Sequence, residues 1–238
     1  MKALILNSGL GRRMGEYTAE HPKCMTELTD GETILSRQLR MLAAAGVTDV
    51  VITTGYFNQI LMDYSHSLGL DIHYDFVFNP LYDQTNYIYS IYCAREQLRD
   101  QDILLLHGDL VFEEEALKTI LAHRESCMKV SSTLPLPEKD FKAVVHDGYV
   151  KKVGVEFFEH AMEAQAMYKL NAKEWNMWLD RICEFCENDR RCCYAEVALN
   201  EITDECRIEI CDVKDLLCTE IDTPEDWGKV LNILKHVK

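Results

Sequence analysis

No run of 18 or more apolar residues occurs in the sequence, so no membrane-spanning helix is expected. Residues 1–6 make too short an apolar stretch for an export signal, and Asn7 and Ser8 follow at once. The chain is therefore expected to stay in the cytoplasm, with its ten cysteines reduced rather than paired. Basic charge is scarce as well: 25 Lys and Arg stand against 40 Asp and Glu, a net charge of -15. Nucleic acid and anionic membrane surfaces are held by basic patches, so neither is expected as a partner. An anionic ligand would need local cations or a bound metal, which makes any arginine or lysine close to glycines informative. There is no internal repeat and no low-complexity linker, and 238 residues suffice for one α/β core with a small insertion.

Hydrophobic patterning gives the class. Residues 3–6 are a short apolar run ending in Asn-Ser-Gly, the pattern of a buried parallel strand that stops at a turn. Ile34, Leu35, Leu39 and Leu42 recur at helical spacing before Gly46, a natural helix stop. Strands over 50–53, 72–78 and 103–106 then alternate with helices over 58–68, 86–98 and 113–124. Such alternation predicts an α/β fold with helices on both faces of a parallel sheet and ligands beyond the carboxyl ends of the strands. From about Lys129 the pattern turns antiparallel, with a strand over 129–134 and strands 143–146 and 149–155 joined by Asp147-Gly148, a strong hairpin turn. A helix over 172–187, a short one near Val197, a strand near Ile208 and a last helix over 224–237 complete the chain.

The first strand runs into Ser-Gly-Leu-Gly-Arg-Arg-Met-Gly, with glycines at 9, 11 and 15. Glycines let backbone N–H groups turn inward around phosphate oxygens, although an ordinary strand-to-helix turn has the same appearance. A Walker A loop is excluded because Glu16 follows Gly15 where Lys is required, and a dinucleotide fingerprint is excluded by the glycine spacing and by Pro22. Cations distinguish this loop: Arg12 and Arg13 within it, and Lys23 aimed by the stiff Pro22. Fixed cations of this kind stabilise charge that develops on phosphate oxygens during nucleotidyl transfer.

Two carboxylates stand at strand ends. Asp109 closes Leu106-His107-Gly108-Asp109 after a buried strand, and Asp222 lies in Glu220-Ile221-Asp222-Thr223-Pro224 at the start of the last helix. One or two carboxylates with substrate oxygens suit a magnesium ion, but Asp222 is equally placed to cap the helix.

The run from Leu6, Asn7, Ser8, Gly9, Leu10 and Gly11 through Arg12, Arg13 and Met14, with Pro22-Lys23, resembles the signature of the sugar-nucleotide pyrophosphorylase-like nucleotidyltransferases. Asn7-Ser8 replaces the commoner Ala-Ala or Ala-Gly. The resemblance is strongest to the small CTP:phosphocholine cytidylyltransferases of bacteria, through residues 78–82, 86–92, Tyr194-Ala195-Glu196 and Glu220-Ile221-Asp222. It implies a Rossmann-like three-layer α/β/α fold with a mostly parallel central sheet and a small antiparallel acceptor-binding insertion. One domain over 1–238 would divide into a nucleotide-binding part at about 1–128, an acceptor-binding part at about 129–215 and a return to the core at 216–238.

The same resemblance implies magnesium on Asp109 and Asp222, with Arg13 and Lys23 on the triphosphate. It implies nucleotide contacts from Leu6, Asn7, Ser8, Gly9, Gly11, Arg12, Arg13, Lys23, Gly55, Tyr56, Asn86 and Ser90, and an acceptor pocket from Phe141, Tyr168, Tyr194 and Glu196. Expected partners are CTP and a small phosphorylated acceptor, the chain being a monomer or homodimer. The expected reaction is CMP transfer to phosphocholine or a similar amino-alcohol phosphate. Aminoethylphosphonate or a sugar 1-phosphate is the alternative acceptor, and a silent nucleotide-sensing domain the alternative of another class. Cys183, Cys186, Cys192 and Cys193 have the number for a zinc site, but spacing of three on a helix is also what a buried face requires, and adjacent cysteines are poor tetrahedral partners.

Overall fold

The computed structural model describes residues 1–236. The strands are β1 (Lys2–Asn7), β2 (Asp49–Thr54), β3 (His73–Phe78), β4 (Ile103–His107), β5 (Leu110–Phe112), β6 (Cys127–Ser131), β7 (Lys142–His146), β8 (Tyr149–Gly154), β9 (Ala161–Leu170), β10 (Glu209–Asp212) and β11 (Cys218–Glu220). The helices are α1 (Ile34–Ala44), α2 (Asn58–Ser67), α3 (Tyr87–Cys93), α4 (Arg95–Leu98), α5 (Glu114–Ala122), α6 (Ala172–Glu187), α7 (Ala195–Leu199) and α8 (Pro224–Leu234). Val237, where the sequence reading ended the last helix, lies outside the described residues.

Nine strands form one sheet in the order β3-β2-β1-β4-β9-β6-β10-β8-β7, and β5 pairs with β11 alone. Side-chain alternation explains the layers: Ala3 and Ile5 of β1 pack with α1, α2 and α5, whereas Leu4 packs with α3, α4, α6 and α7 on the other face. A third cluster seats α8 through Val230 and Trp227 against Met14, Ile34 and Ile221. Among the described residues no helix is long and apolar enough to cross a membrane.

The α/β class follows the pattern, but the sheet is more mixed than strand–helix alternation predicts. β3, β2, β1 and β4 are parallel; β9 then runs antiparallel to both β4 and β6. Residues 161–170 carry no β-branched side chain, and the sequence reading assigned no strand there. Burial of every residue from Glu163 to Leu170 between two neighbouring strands overrides that weak propensity. Two smaller differences are local. The helix expected over 86–98 breaks at Ala94 into α3 and α4, and the 143–155 hairpin forms as expected, Asp147 and Gly148 both having positive φ.

Cys186 faces the core beneath α3 while Cys192 faces outward, so the cysteines at 183–193 lie in unlike surroundings. Burial pushes the Cys186, Cys206 and Cys218 thiols up to about 12. Cys211 departs from this trend: a hydrogen bond with Cys127, and against burial the neighbouring His123, hold its thiol below the ordinary range.

Candidate active site

The carboxyl ends of β1 and β4 open onto a cavity of about 460 Å³. Its floor is set by backbone ties: the Gly108 N–H donates to the Leu6 carbonyl at 3.1 Å, and the Ile221 N–H donates to the Asp109 carbonyl at 3.0 Å. The second tie brings Asp222, far along the chain, beside Asp109. Asp222 is not the helix cap: Thr223 takes that role, accepting from the Asp226 N–H at 3.2 Å, with Pro224 at the first helical position. The Asp222 carboxylate is thereby free for the cavity.

Lys23 bridges the two aspartates. Its ammonium pairs with Asp109 and lies 2.8 Å from Asp222 Oδ1, which the Arg13 guanidinium also reaches at 2.8 Å. Burial alone would lower the Lys23 pKa, but the two carboxylates outweigh it and raise it. Burial likewise opposes ionisation of Asp109, and Lys23 with His107 reverses that, holding its carboxyl below the ordinary value. Gly11 adopts φ 61°, a left-handed turn that brings its Cα against Lys23: a Cβ there would stand 3.0 Å from Lys23 Cβ. The first loop and the Pro-Lys pair are thus packed as one unit.

Leu6, Asn7, Ser8, Gly9, Arg12, Asn86 and Ser90 also line the cavity. Asn86 caps α3, its side-chain oxygen accepting from the Tyr87 N–H at 2.7 Å, and Ser90 accepts from Asn79 Nδ2 at 3.0 Å. Asn7 and Ser8 line the cavity, and Asn7 Nδ2 and Ser8 Oγ are buried with no hydrogen-bond partner among the described residues. Gly55 and Tyr56 do not line it. Tyr56 is exposed and packs on Phe57 and Tyr82. Gly55 instead allows the β2 turn to approach the loop, since a Cβ would fall 2.3 Å from the Ser8 carbonyl oxygen. Gly55→Ala is therefore expected to cost about 1–3 kcal/mol of stability, the usual cost of overpacking. It should also raise the KM for nucleotide; thermal unfolding and initial rates check both.

Of the four residues expected around an acceptor, Phe141 and Tyr194 line the cavity, their rings 5.2 Å apart and edge to face. Tyr168 and Glu196 are fully buried behind that wall, where the Tyr168 hydroxyl donates to Glu196 Oε1 at 3.1 Å. Tyr87 joins the two layers: its hydroxyl donates to Glu196 while its ring stacks 5.9 Å from Tyr194 in the cavity wall. Tyr168 and Glu196, expected as direct contacts, do not line the cavity; they lie behind Tyr87 and are joined to it through the Glu196 carboxyl. A buried carboxylate must be hydrogen-bonded, and the two hydroxyls bury it without a counter-cation.

His107, Glu220 and Asp140 also line the cavity, and reading by residue type did not single them out. Position was the available signal, since His107 is the last residue of β4 and Glu220 the last of β11, each two residues before one of the two aspartates. His107 Nδ1 is 2.7 Å from Glu220 Oε1; burial would lower the imidazole, but Glu220 raises it to about 9. Ligand atoms of His107, Asp109 and Glu220 lie within 4.8 Å of one another.

A glycine-arginine loop, a lysine between two strand-end aspartates and a nine-stranded α/β sheet define the nucleotidyltransferase class. The chain belongs to the MobA-like NTP transferase domain family, whose model matches residues 3–142. It is 38% identical over 138 residues to the CMP-5'-(3-aminopropyl)phosphonate synthase of Streptomyces rubellomurinus, a match covering 57% of this chain and 21% of that protein. It is 26% identical over 169 residues to the CTP:phosphoglutamine cytidylyltransferase of Campylobacter jejuni, covering 65% of each. The chain thus spans less than two thirds of either relative. The solved structure of CTP:phosphocholine cytidylyltransferase from Streptococcus pneumoniae shares the fold, with a TM-score of 0.76 at 18% identity over 98% of both chains.

Proposed function

We propose that this chain transfers CMP from CTP to a small acceptor with a phosphate or phosphonate at one end and an ammonium at the other, releasing pyrophosphate. Phosphocholine is the first acceptor proposed. The observation that carries the reading is the convergence of Lys23, Asp109 and Asp222 in one cavity whose other wall is Tyr87, Phe141 and Tyr194. Residues 1–128 would supply the nucleotide contacts, 129–215 the acceptor wall, and 216–238 would return Asp222 to the core.

The reaction needs no protein nucleophile. An ionised oxygen of the acceptor forms the new bond to the α-phosphorus, and the bond to the β-phosphate oxygen breaks, the electron pair leaving with pyrophosphate. Catalysis is then positioning and charge neutralisation. Lys23 and Arg13 hold the triphosphate oxygens, and the backbone of residues 8–12 wraps them. Asp109 and Asp222 would hold a divalent cation such as Mg²⁺. The donor set fits: two carboxylates already converge on one ammonium, and Asp109 Oδ1 is buried with no partner. Such an ion neutralises charge on the phosphates when bound.

Aromatic faces attract a quaternary ammonium, whereas a primary ammonium also needs acceptors such as Glu220 and Asp140. A second reading, an aminoalkylphosphonate acceptor, is favoured by the 38% identity to a relative named as a CMP-5'-(3-aminopropyl)phosphonate synthase, over 21% of that protein. Four nucleoside triphosphates offered against phosphocholine, phosphoethanolamine, 2-aminoethylphosphonate and sugar 1-phosphates, scored by pyrophosphate release, test both. CTP with an ammonium-bearing acceptor should be fastest. Preference for another triphosphate or a sugar phosphate would overturn the reading, and no release from any pair would favour a silent nucleotide-sensing domain. Phe141→Ala should raise the acceptor KM roughly tenfold, the loss of about 1–2 kcal/mol of ring contact. The KM for CTP should stay near its wild-type value.

A further inference from the structure

At the amino-terminal end of the central strands, away from the cavity, three side chains that the proposed transfer does not use come together. His123 ends α5, Cys127 opens β6 and Cys211 lies in β10, and their ligand atoms are all within 4.8 Å of one another. β6 and β10 run parallel, with Glu209 opposite Cys127 and Cys211 opposite Lys129. Glu209, Cys211 and Cys127 therefore share one face of the sheet, the face that α5 covers. We infer that His123, Cys127 and Cys211 form a binding site for a soft divalent cation of the zinc type.

The donor set is one imidazole nitrogen and two sulfurs, the combination that zinc selects over magnesium or calcium. Tetrahedral zinc with ordinary bond lengths sets its ligand atoms about 3.5–3.8 Å apart. The three ligand atoms, all within 4.8 Å of one another, are within about 1 Å of that spacing. His123 Nε2 lies 2.9 Å from Glu209 Oε2, the carboxylate support that commonly orients a metal-ligating histidine. Lys169 donates to the His123 and Arg124 carbonyls and so fixes the backbone from which that imidazole projects.

Charge and access agree with such a site. A divalent cation with two thiolates is neutral, and Glu209 balances Lys169. Cys127 and Cys211 are buried, but the His123 and Glu209 side chains are 26% and 32% exposed, which leaves an entry from solvent. Three protein ligands leave a fourth position for water or for the second Glu209 oxygen. A disulfide is the other fate of two facing thiols. Here the partners sit two register steps apart on adjacent parallel strands, which implies a Cα separation of about 8 Å, beyond the reach of an unstrained bridge.

A bound ion would join α5, β6 and β10 through side chains, a structural rather than catalytic role. The test is zinc and cobalt binding to the whole chain, purified without chelator under reducing conditions. Zinc should bind at one equivalent beyond any bound at Asp109 and Asp222 and should raise the thermal midpoint. Cobalt should give a sulfur-to-metal charge-transfer band, which carboxylate ligands cannot produce. The band should vanish in Cys127→Ser and Cys211→Ser and weaken in His123→Gln, a partly exposed position that keeps both buried thiols in place. It should persist in Cys24→Ser, which removes the thiol lining the cavity. No thiolate band in the wild type, or a band unchanged in Cys211→Ser, would overturn the inference.

Discussion

Lys23→Ala is expected to lower kcat by at least about 10²–10³-fold, the loss seen when one fixed donor to a charged transition state is removed. The structure adds a stability effect that the sequence did not announce. Lys23 separates Asp109 and Asp222, and all three side chains are only 16–17% exposed. Without the ammonium the carboxylates face each other with Arg13 beside Asp222 and His107 near Asp109 for compensation. Breaking a buried ion pair costs about 3–5 kcal/mol, and retention of Arg13 puts this variant toward the lower end. Added Mg²⁺ should therefore raise the thermal midpoint of Lys23→Ala more than that of the wild type, because the ion replaces the missing charge. Asp109→Ala should lose turnover as completely and lose that magnesium response as well. Stopped-flow or steady-state pyrophosphate release, with thermal unfolding at several magnesium concentrations, reads all of these. Near-normal kcat in either variant would remove Lys23 and Asp109 from the proposed mechanism.

The parts of the site legible in the sequence are those whose chemistry is local. Gly11 and Pro22-Lys23 announce themselves because a left-handed turn and a fixed φ are properties of single residues. Asp109 and Asp222 stand at strand ends, where an apolar run stops at a charge. What was hidden depends on depth and on pairing across the chain. Aromatic identity cannot say that Phe141 faces the cavity while Tyr168, on the buried β9, stands behind it. Nor can it say that Glu196 is satisfied by tyrosine hydroxyls rather than by a ligand. His107 and Glu220 meet only because β11 folds back onto β5, a contact between residues 113 positions apart. β9 was missed for a related reason: its burial comes from β4 and β6, not from its own propensity.

The ion pair between Lys129 and Glu163 carries the largest expected stability effect outside the site. Lys129 of β6 is fully buried, and its ammonium lies 2.5 Å from Glu163 Oε2 of β9 and 3.4 Å from the Cys218 carbonyl of β11. Gln165 donates to the second Glu163 oxygen at 3.1 Å. Glu163→Ala would leave an ammonium with one carbonyl for company and is expected to cost about 3–5 kcal/mol. Removing both charges with shape-matched apolar residues, as in Lys129→Met with Glu163→Leu, should recover most of that loss, since the desolvation cost of the charges disappears with them. Activity should not recover in parallel. The bond from Lys129 to Cys218 ties the main sheet to β11, two residues before Glu220 and four before Asp222. Without it the strand that aims Asp222 at the cavity keeps its pairing with β5 and the His107–Glu220 contact but loses its tie to β6. The double variant should therefore unfold near the wild-type urea midpoint yet require more Mg²⁺ for half-maximal rate. A double variant with wild-type magnesium dependence would confine this ion pair to folding, and a Glu163→Ala loss below about 1 kcal/mol would place the Lys129 charge in contact with water.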